Sequence, residues 1–417
     1  MEDLPNILVR KIFLPLPFTE ITRVCSTNKQ LNKAICHFQP FWYDKLVLDY
    51  SITEKFTETL DWKRIYIHYL YRLIGLGSNE FAQITSVAVK DVACGSHHTV
   101  IIDIDGNLWG TGVNYNGELG INVREEHVRN LVKLTHELKF IQVACGSHHT
   151  LALSNDNKIW VTGSNSVGQI GLSIKTRTYG FIELKGHRAK QIACGENHSA
   201  FIDSNGNLYT FGHRFDHKLG RDVRDGYEIP GKVSIPGNIP VIQVSCGVNH
   251  TACIDANNEI WVFGSNQSGE LGLGETEFRI RSQIEYPIKI PNHKAKFIFC
   301  GDYHTAFIDL RNHVWTFGNN KLGQLGLGLQ GIKLVHYPME IAHVCHEGQI
   351  IKRDFRVKQV YCIRYITLFI DFENNLWVTG RNEKLSIESK VPAMIPRIKA
   401  SKVVAGVNHM VMIGYFD

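Results

Sequence analysis

A seven-residue motif returns down most of this chain at nearly even intervals. It reads Ala93-Cys94-Gly95-Ser96-His97-His98-Thr99, then Ala144-Cys145-Gly146-Ser147-His148-His149-Thr150, then Ala193-Cys194-Gly195-Glu196-Asn197-His198-Ser199. Ser245–Thr251 and Phe299–Thr305 repeat it, Tyr361–Thr367 is a degenerate copy, and Val404–Met410 is the seventh. The cysteines at 94, 145, 194, 246, 300 and 362 are separated by 51, 49, 52, 54 and 62 residues. A fixed period of this length means that one supersecondary unit is copied, and that no unit buries its apolar face alone.

A second motif follows each of the first six copies. Leu108-Trp109-Gly110-Thr111-Gly112-Val113-Asn114 runs into Gly117-Glu118-Leu119-Gly120, and equivalents begin at Ile159, Leu208, Ile260, Val314 and Leu376. Between the motifs stand Asp105-Gly106-Asn107, Asn205-Gly206-Asn207, Asn257-Asn258 or Asn374-Asn375, dipeptides that tolerate positive φ and mark tight hairpins. The flanks are β-branched, aromatic or alternating, as strands require. About fifty residues with four strands make a propeller blade rather than a helical solenoid. The chain has neither a Gly-Gly nor a Trp-Asp dipeptide, which excludes two other propeller repeats. The last first-motif has no second motif after it, and Leu73–Asn79 is a second motif with no first before it. A strand from the start of the domain is therefore predicted to complete the last blade, closing a seven-bladed β-propeller.

These motifs resemble the regulator-of-chromosome-condensation repeat, over residues 71–417. The copy around residue 363 is the poorest: Ile363 stands for glycine and Ile366 for histidine. The repeated histidines, His98, His149, His198, His250, His304 and His409, are predicted to ring the axis too far apart for one metal ion, each hydrogen-bonded to backbone. The cysteines lack a paired base or neighbouring charge, so they read as buried thiols of a reducing compartment. Gly110-Thr111-Gly112 opens no helix and precedes no Lys-Ser, which argues against a phosphate loop.

The first seventy residues have a different pattern. Leu4-Pro5, Ile12-Phe13, Leu14-Pro15-Leu16, Val24-Cys25, Leu31 and Phe41-Trp42 suggest a small three-helix unit. Their order resembles an F-box. We expect an F-box-like helical module at 1–50, a connecting helix at 51–70 and a mainly β propeller at 71–417. The F-box resemblance implies docking to a Skp-type adaptor and cullin through Leu4, Pro5, Ile12, Leu14, Leu16, Val24 and Leu31.

Net charge is +5, with 45 basic and 40 acidic residues, and the basic runs are short. This is no nucleic-acid track, and no window is apolar enough to span a membrane. The first residues lack a secretory pattern, so a cytoplasmic or nuclear location is expected. No catalytic constellation emerges, and the chain is expected to bind partners without enzymatic activity, cofactor or metal. The first reading is the substrate receptor of a cullin-RING ubiquitin ligase, its propeller holding an unknown protein substrate. The alternatives are a guanine-nucleotide exchange and chromatin-binding propeller for a Ran-like GTPase, or a non-enzymatic scaffold. The longest connection, residues 327–358, mixes aromatics with arginines, so Tyr337, Arg353, Phe355 and Arg356 are the expected partner contacts.

Overall fold

The computed structural model describes residues 73–77 and 88–416, apart from 124, 136, 225, 347, 383–386 and 407–408. The expected modules at 1–50 and 51–70, with the adaptor set Leu4, Pro5, Ile12, Leu14, Leu16, Val24 and Leu31, lie outside the described residues. The described strands belong to one compact unit, Leu73–Thr85 with Val89–Phe416.

Strand β1 (Leu73–Gly77) is followed by three antiparallel sheets of four. The first holds β2 (Val89–Cys94), β3 (His98–Asp103), β4 (Leu108–Val113) and β5 (His127–Lys133). Then come β6 (Phe140–Cys145), β7 (His149–Ser154), β8 (Lys158–Gly163) and β9 (Thr178–Arg188), and next β10 (Gln191–Cys194), β11 (His198–Ile202), β12 (Leu208–Gly212) and β13 (Gly231–Val233). A larger sheet takes β14 (Val241–Cys246), β15 (His250–Asp255), β16 (Glu259–Ser265), β17 (Gln283–Cys300), β18 (His304–Asp309), β19 (Val314–Asn319) and β20 (Leu334–Glu340). The long β17 links two repeats: its first part pairs with β16 and its last, from Ala295, with β18. The remaining strands are β21 (His343–His346), β22 (Gln349–Lys352), β23 (Val357–Ile363), β24 (Ile366–Asp371), β25 (Asn375–Asn382), β26 (Ile387–Ala405) and β27 (His409–Phe416).

The two motifs pair in one register throughout. His98 faces Gly112, His149 faces Gly163, His198 faces Gly212, and His250 and His304 face Gly264 and Gly318. Ile366 faces Gly380. His409 faces Gly77, because β1 pairs with β27. The predicted closing strand is thus in place, in the register of an ordinary second motif. The glycine is required twice over: Gly112 sits at φ 108°, and a Cβ there would meet His97 O at 2.4 Å. The apolar core lies between successive sheets. Val100 and Leu108 share one cluster with Phe140, Val143 and Ala152 of the next sheet.

Hairpin tips are fixed by the residue that ends the first strand of each pair. Asp103 Oδ1 accepts the N–H of Asp105 and Asn107, while Oδ2 accepts the indole N–H of Trp109 at 2.8 Å. Asp255, Asp309 and Asp371 hold Trp261, Trp315 and Trp377 in the same way. In the second sheet Ser154 replaces the aspartate, and the buried Nε1 of Trp160 finds no partner among the described residues. A stranded buried donor costs about 1–3 kcal/mol. Substituting Ser154→Asp should therefore raise stability by about 1 kcal/mol in denaturant melts, with no gain in a Trp160→Phe background.

Candidate functional site

Parts of all seven first-motif copies converge on one cavity of about 320 Å³, lined among others by Gly95, Gly146, Gly195, Gly247, Gly301, Ile363 and Gly406. A second cavity of about 260 Å³ is lined by Cys94, Cys145, Cys194, Cys246, Cys300 and Cys362. The repeated residues that look most chemical in the sequence are gathered here, so their chemistry decides whether the axis is a reactive site.

The histidine rings lie just outside these walls. His98 Nε2 is 3.0 Å from Thr150 Oγ1, in the following repeat. His149, His198, His250 and His304 reach Ser199, Thr251, Thr305 and Thr367 at 2.8–2.9 Å. Each hydroxyl in turn donates to a carbonyl of the preceding repeat's second motif, Thr150 to Glu118 O at 2.7 Å and Ser199 to Gln169 O at 2.8 Å. A hydroxyl has one proton, and the carbonyl takes it, so the ring must donate from Nε2. The expectation of a backbone partner is corrected here: the ring bonds a side chain across the gap between sheets and reaches backbone only through it.

This relay also explains the glycine three residues before each histidine. A Cβ at Gly146 would sit 2.1 Å from Cε1 of His149. In the degenerate repeat the ring is gone, and a side chain, Ile363, takes the glycine's position. Thr367 is kept because it serves His304 of the repeat before. Ile366 has no ring N–H to offer, and the next repeat answers with Met410 instead of a hydroxyl; both lie in one apolar cluster.

The geometry fixes the protonation. Nδ1 of His149, His198, His250 and His304 is buried without a partner. A proton there would be a desolvated charge with no acceptor. Burial accordingly pulls His98 down to about 4 and His149, His250 and His304 to about 3. The thiols move the other way, Cys94, Cys194 and Cys300 being pushed up to about 12 by burial. Cys194 Sγ instead donates to Ala144 O of the neighbouring sheet at 3.4 Å. Protonated thiols neither attack nor ligate, and no group of three or more metal-binding side chains occurs among the described residues. The axis holds sheets together.

The irregular surface lies elsewhere. The second-motif turns are capped by an acceptor: Glu118, Gln169, Glu270 and Gln324 each take the N–H two residues earlier. In the third repeat Lys218 stands there and can only donate. It is buried, reaches Val248 O at 3.3 Å and Asn249 Oδ1, and burial lowers its pKa. His217 keeps the left-handed conformation of the glycine it replaces, φ 55° against 87° at Gly117, and Asp216 adds a second positive φ of 61°. Phe215 is 62% exposed, at a position where Tyr115 of the first repeat is exposed as well. The Arg214 guanidinium stands 5.9 Å from the Phe215 ring and 5.1 Å from the Tyr227 ring, and Lys175 lies 5.5 Å from Tyr227. The sequence signal was Arg214 and His217 where the repeat has asparagine and glycine; the exposed Phe215 beside Arg214 was missed.

The expected contacts on the long connection separate. Tyr337 is exposed. Arg353 lies over Trp377 at 5.4 Å, and Arg356 pairs with Asp354 at 2.9 Å. Phe355 is corrected: it is 3% exposed, packed edge-on against Phe369 and Trp377 at 5.4 Å. It anchors the connection in the core and is no surface contact.

Two outcomes test the relay. Ile366→His alone should destabilise by about 2 kcal/mol or more, because Ile363 blocks the ring and Met410 cannot accept. Adding Ile363→Gly and Met410→Thr should recover most of the loss, a non-additivity read in denaturant melts. The second concerns pH. Unfolded histidine titrates near 6.5, so below that the unfolded chain binds protons that the folded rings refuse, and stability falls with pH. Each ring should contribute up to about 1.4 kcal/mol per pH unit between its folded pKa and about 6.5, and nothing above. His149→Ala should reduce that slope by about one proton.

The repeats and their register are those of a known family. Residues 74–412 match the RCC1-like domain. The ultraviolet-B receptor UVR8 of Arabidopsis thaliana is 28% identical, the match covering 58% of this chain and 56% of that protein. The X-linked retinitis pigmentosa GTPase regulator of Canis lupus familiaris is 37% identical over 57% of this chain and 29% of its own length. This chain thus spans about half or less of these relatives. Among solved structures, Prp20p from Saccharomyces cerevisiae, described with its binding to Gsp1p and histones, superposes with a TM-score of 0.70 at 16% identity, covering 87% of this chain and 97% of that one. The match over residues 74–412 makes this chain a member of the RCC1-like domain family, a mainly β propeller.

Proposed function

We propose that this chain is a seven-bladed RCC1-like propeller that acts by binding a folded protein, and that the partner is a small GTPase of the Ran class. The observation that carries the reading is the third-repeat turn, where exposed Phe215 stands 4.9 Å from the His213 ring and 5.9 Å from the Arg214 guanidinium, with Asp216 beside it at a φ of 61°. Large aromatics and arginine are enriched among the few residues that carry most of the binding energy of protein interfaces. A relative that is itself a GTPase regulator, and a yeast propeller of this fold that binds Gsp1p and histones, support the choice of partner. The chain contributes binding and no bond-making chemistry of its own. Free thiols suit the reducing environment of the cytoplasm or nucleus.

The ubiquitin-ligase reading stands second. It rests on the F-box resemblance of residues 3–45, with Leu4, Pro5, Ile12, Leu14, Leu16, Val24 and Leu31 as the strip for a Skp-type adaptor. Leu4→Ala with Pro5→Ala abolishes co-purification of adaptor and cullin if that reading holds.

Titration with a Ran-class GTPase in its nucleotide-free, GDP and GTP forms tests the first reading. Binding is expected at about micromolar Kd, with Phe215→Ala weakening it about tenfold or more at unchanged thermal stability. Absence of binding by all three forms at about 100 µM overturns it.

A further inference from the structure

The connection between the fifth and sixth repeats carries a hairpin that the repeat does not need. β21 and β22 pair antiparallel, from His343 opposite Lys352 to His346 opposite Gln349. On its other side β21 touches β26 through Cys345 and Ala393. β22 pairs with β21 alone, so its outer edge is open among the described residues. Every side chain of β22 is exposed. Ile350 is 66% exposed and Ile351 40%. Successive strand residues point to opposite faces, so both faces of the strand are apolar and wet. Exposed edges are ordinarily blunted by proline, charge, bulges or a cover. Here the register runs without a bulge, the strand has no proline, and its one charge, Lys352, stands at the end, leaving Gln349–Ile351 uncharged.

The hairpin is held firmly on its inner side. Val344 of β21 is fully buried in the cluster that includes Phe355, Trp377 and Val357. Arg353 N donates to Ala342 O at 3.0 Å, which closes the base of the hairpin. A strand edge fixed this way offers alternate unpaired N–H and C=O groups at constant spacing. It ends in Lys352 and Arg353, both exposed, and neither is in an ion pair among the described residues.

We propose that β22 is a strand-addition site, taking an extended segment of a partner protein that pairs its backbone with Gln349–Lys352. The segment carries apolar residues over Ile350 and Ile351 and acidic residues toward Lys352 and Arg353. Main-chain bonds supply the affinity, and the two isoleucines with the two cations supply the selection. The inference rests on the reading of this chain as a partner-binding propeller, but not on which protein is bound.

The test uses the full chain and a short fluorescent peptide of alternating valine and threonine with two glutamates at one end. Saturable binding is expected, with the amides of β22 slowed in hydrogen exchange. Ile350→Asp with Ile351→Asp should weaken it about tenfold or more, at an unchanged melting temperature because both positions are exposed. A peptide methylated on alternate backbone nitrogens should lose binding equally, whereas simple apolar adhesion would survive that change. No binding by the parent peptide overturns the proposal. So does sedimentation showing a dimer that the double aspartate variant dissolves, because the edge would then belong to a second copy. Slow exchange of β22 amides in the free chain would show the edge already covered and overturns it too. None of these readouts depends on a GTPase, so failure here and failure of the GTPase titration are separate results.

Discussion

The hydrogen bond from a buried histidine to the next repeat's hydroxyl recurs at five junctions in one geometry, beside strand β17, which runs through two repeats, and backbone bonds such as Ser147 N to Glu196 O. Apolar packing between sheets is strong but non-directional; it sets the distance and leaves sliding unopposed. The relay from ring to hydroxyl to carbonyl has one geometry. It joins the first motif of one repeat, the first motif of the next and the second-motif turn of the first. Glutamine adds a second rung nearer the axis. Gln142 accepts from Ile192 N and donates to Ile192 O, both at 3.0 Å, and Gln191 and Gln243 do the same one and two repeats on. At the closing junction Lys402 and Asp91 pair as ions instead. β26 and β2 are thus tied by charge, where the three junctions from the second repeat to the fifth use amides.

The degenerate repeat shows that the relay is one unit. Removing a hydrogen-bond donor alone leaves a desolvated acceptor, whereas replacing both partners by apolar groups of suitable shape is nearly neutral. Ile363, Ile366 and Met410 are that second case, spread over two repeats and 47 positions of sequence. The chain has the converse in the second repeat, where Ser154 removed the acceptor and Trp160 remained. One change was completed and the other was not, and only the unfinished one leaves an orphaned buried group.

The strands and their tips were legible because they are local. Asn258, Asn312 and Asn374 hold the positive φ that their hairpins need, and β1 closes on β27 in the predicted register. The partners of the histidines were not legible, because the acceptor lies about one repeat away and only the fold brings it near. Phe355 was misjudged for a related reason. An aromatic among arginines has the composition of an interface, and nothing local reveals that the segment turns this one ring inward while Arg353, Asp354 and Arg356 stay out. The buried Lys218 was equally hidden, since its meaning depends on the acceptors that occupy its position in the neighbouring repeats.

These constraints divide the molecule. Every position that serves a relay or a glutamine rung is held by two repeats at once, and each aspartate–tryptophan cap ties two strands of one repeat, so a change there must be answered elsewhere. The connection at 327–358 carries fewer such obligations, and chain length is added there at little entropic cost. An added segment becomes useful for binding only if it is also rigid, because ordering a mobile loop at the moment of contact consumes affinity. Val344, Phe355 and Val357 meet that requirement by burying one side of the connection in the sheet core. The outer strand is then displayed by the same packing that stabilises the fold, and freedom of sequence at the rim follows from the rigidity of the axis.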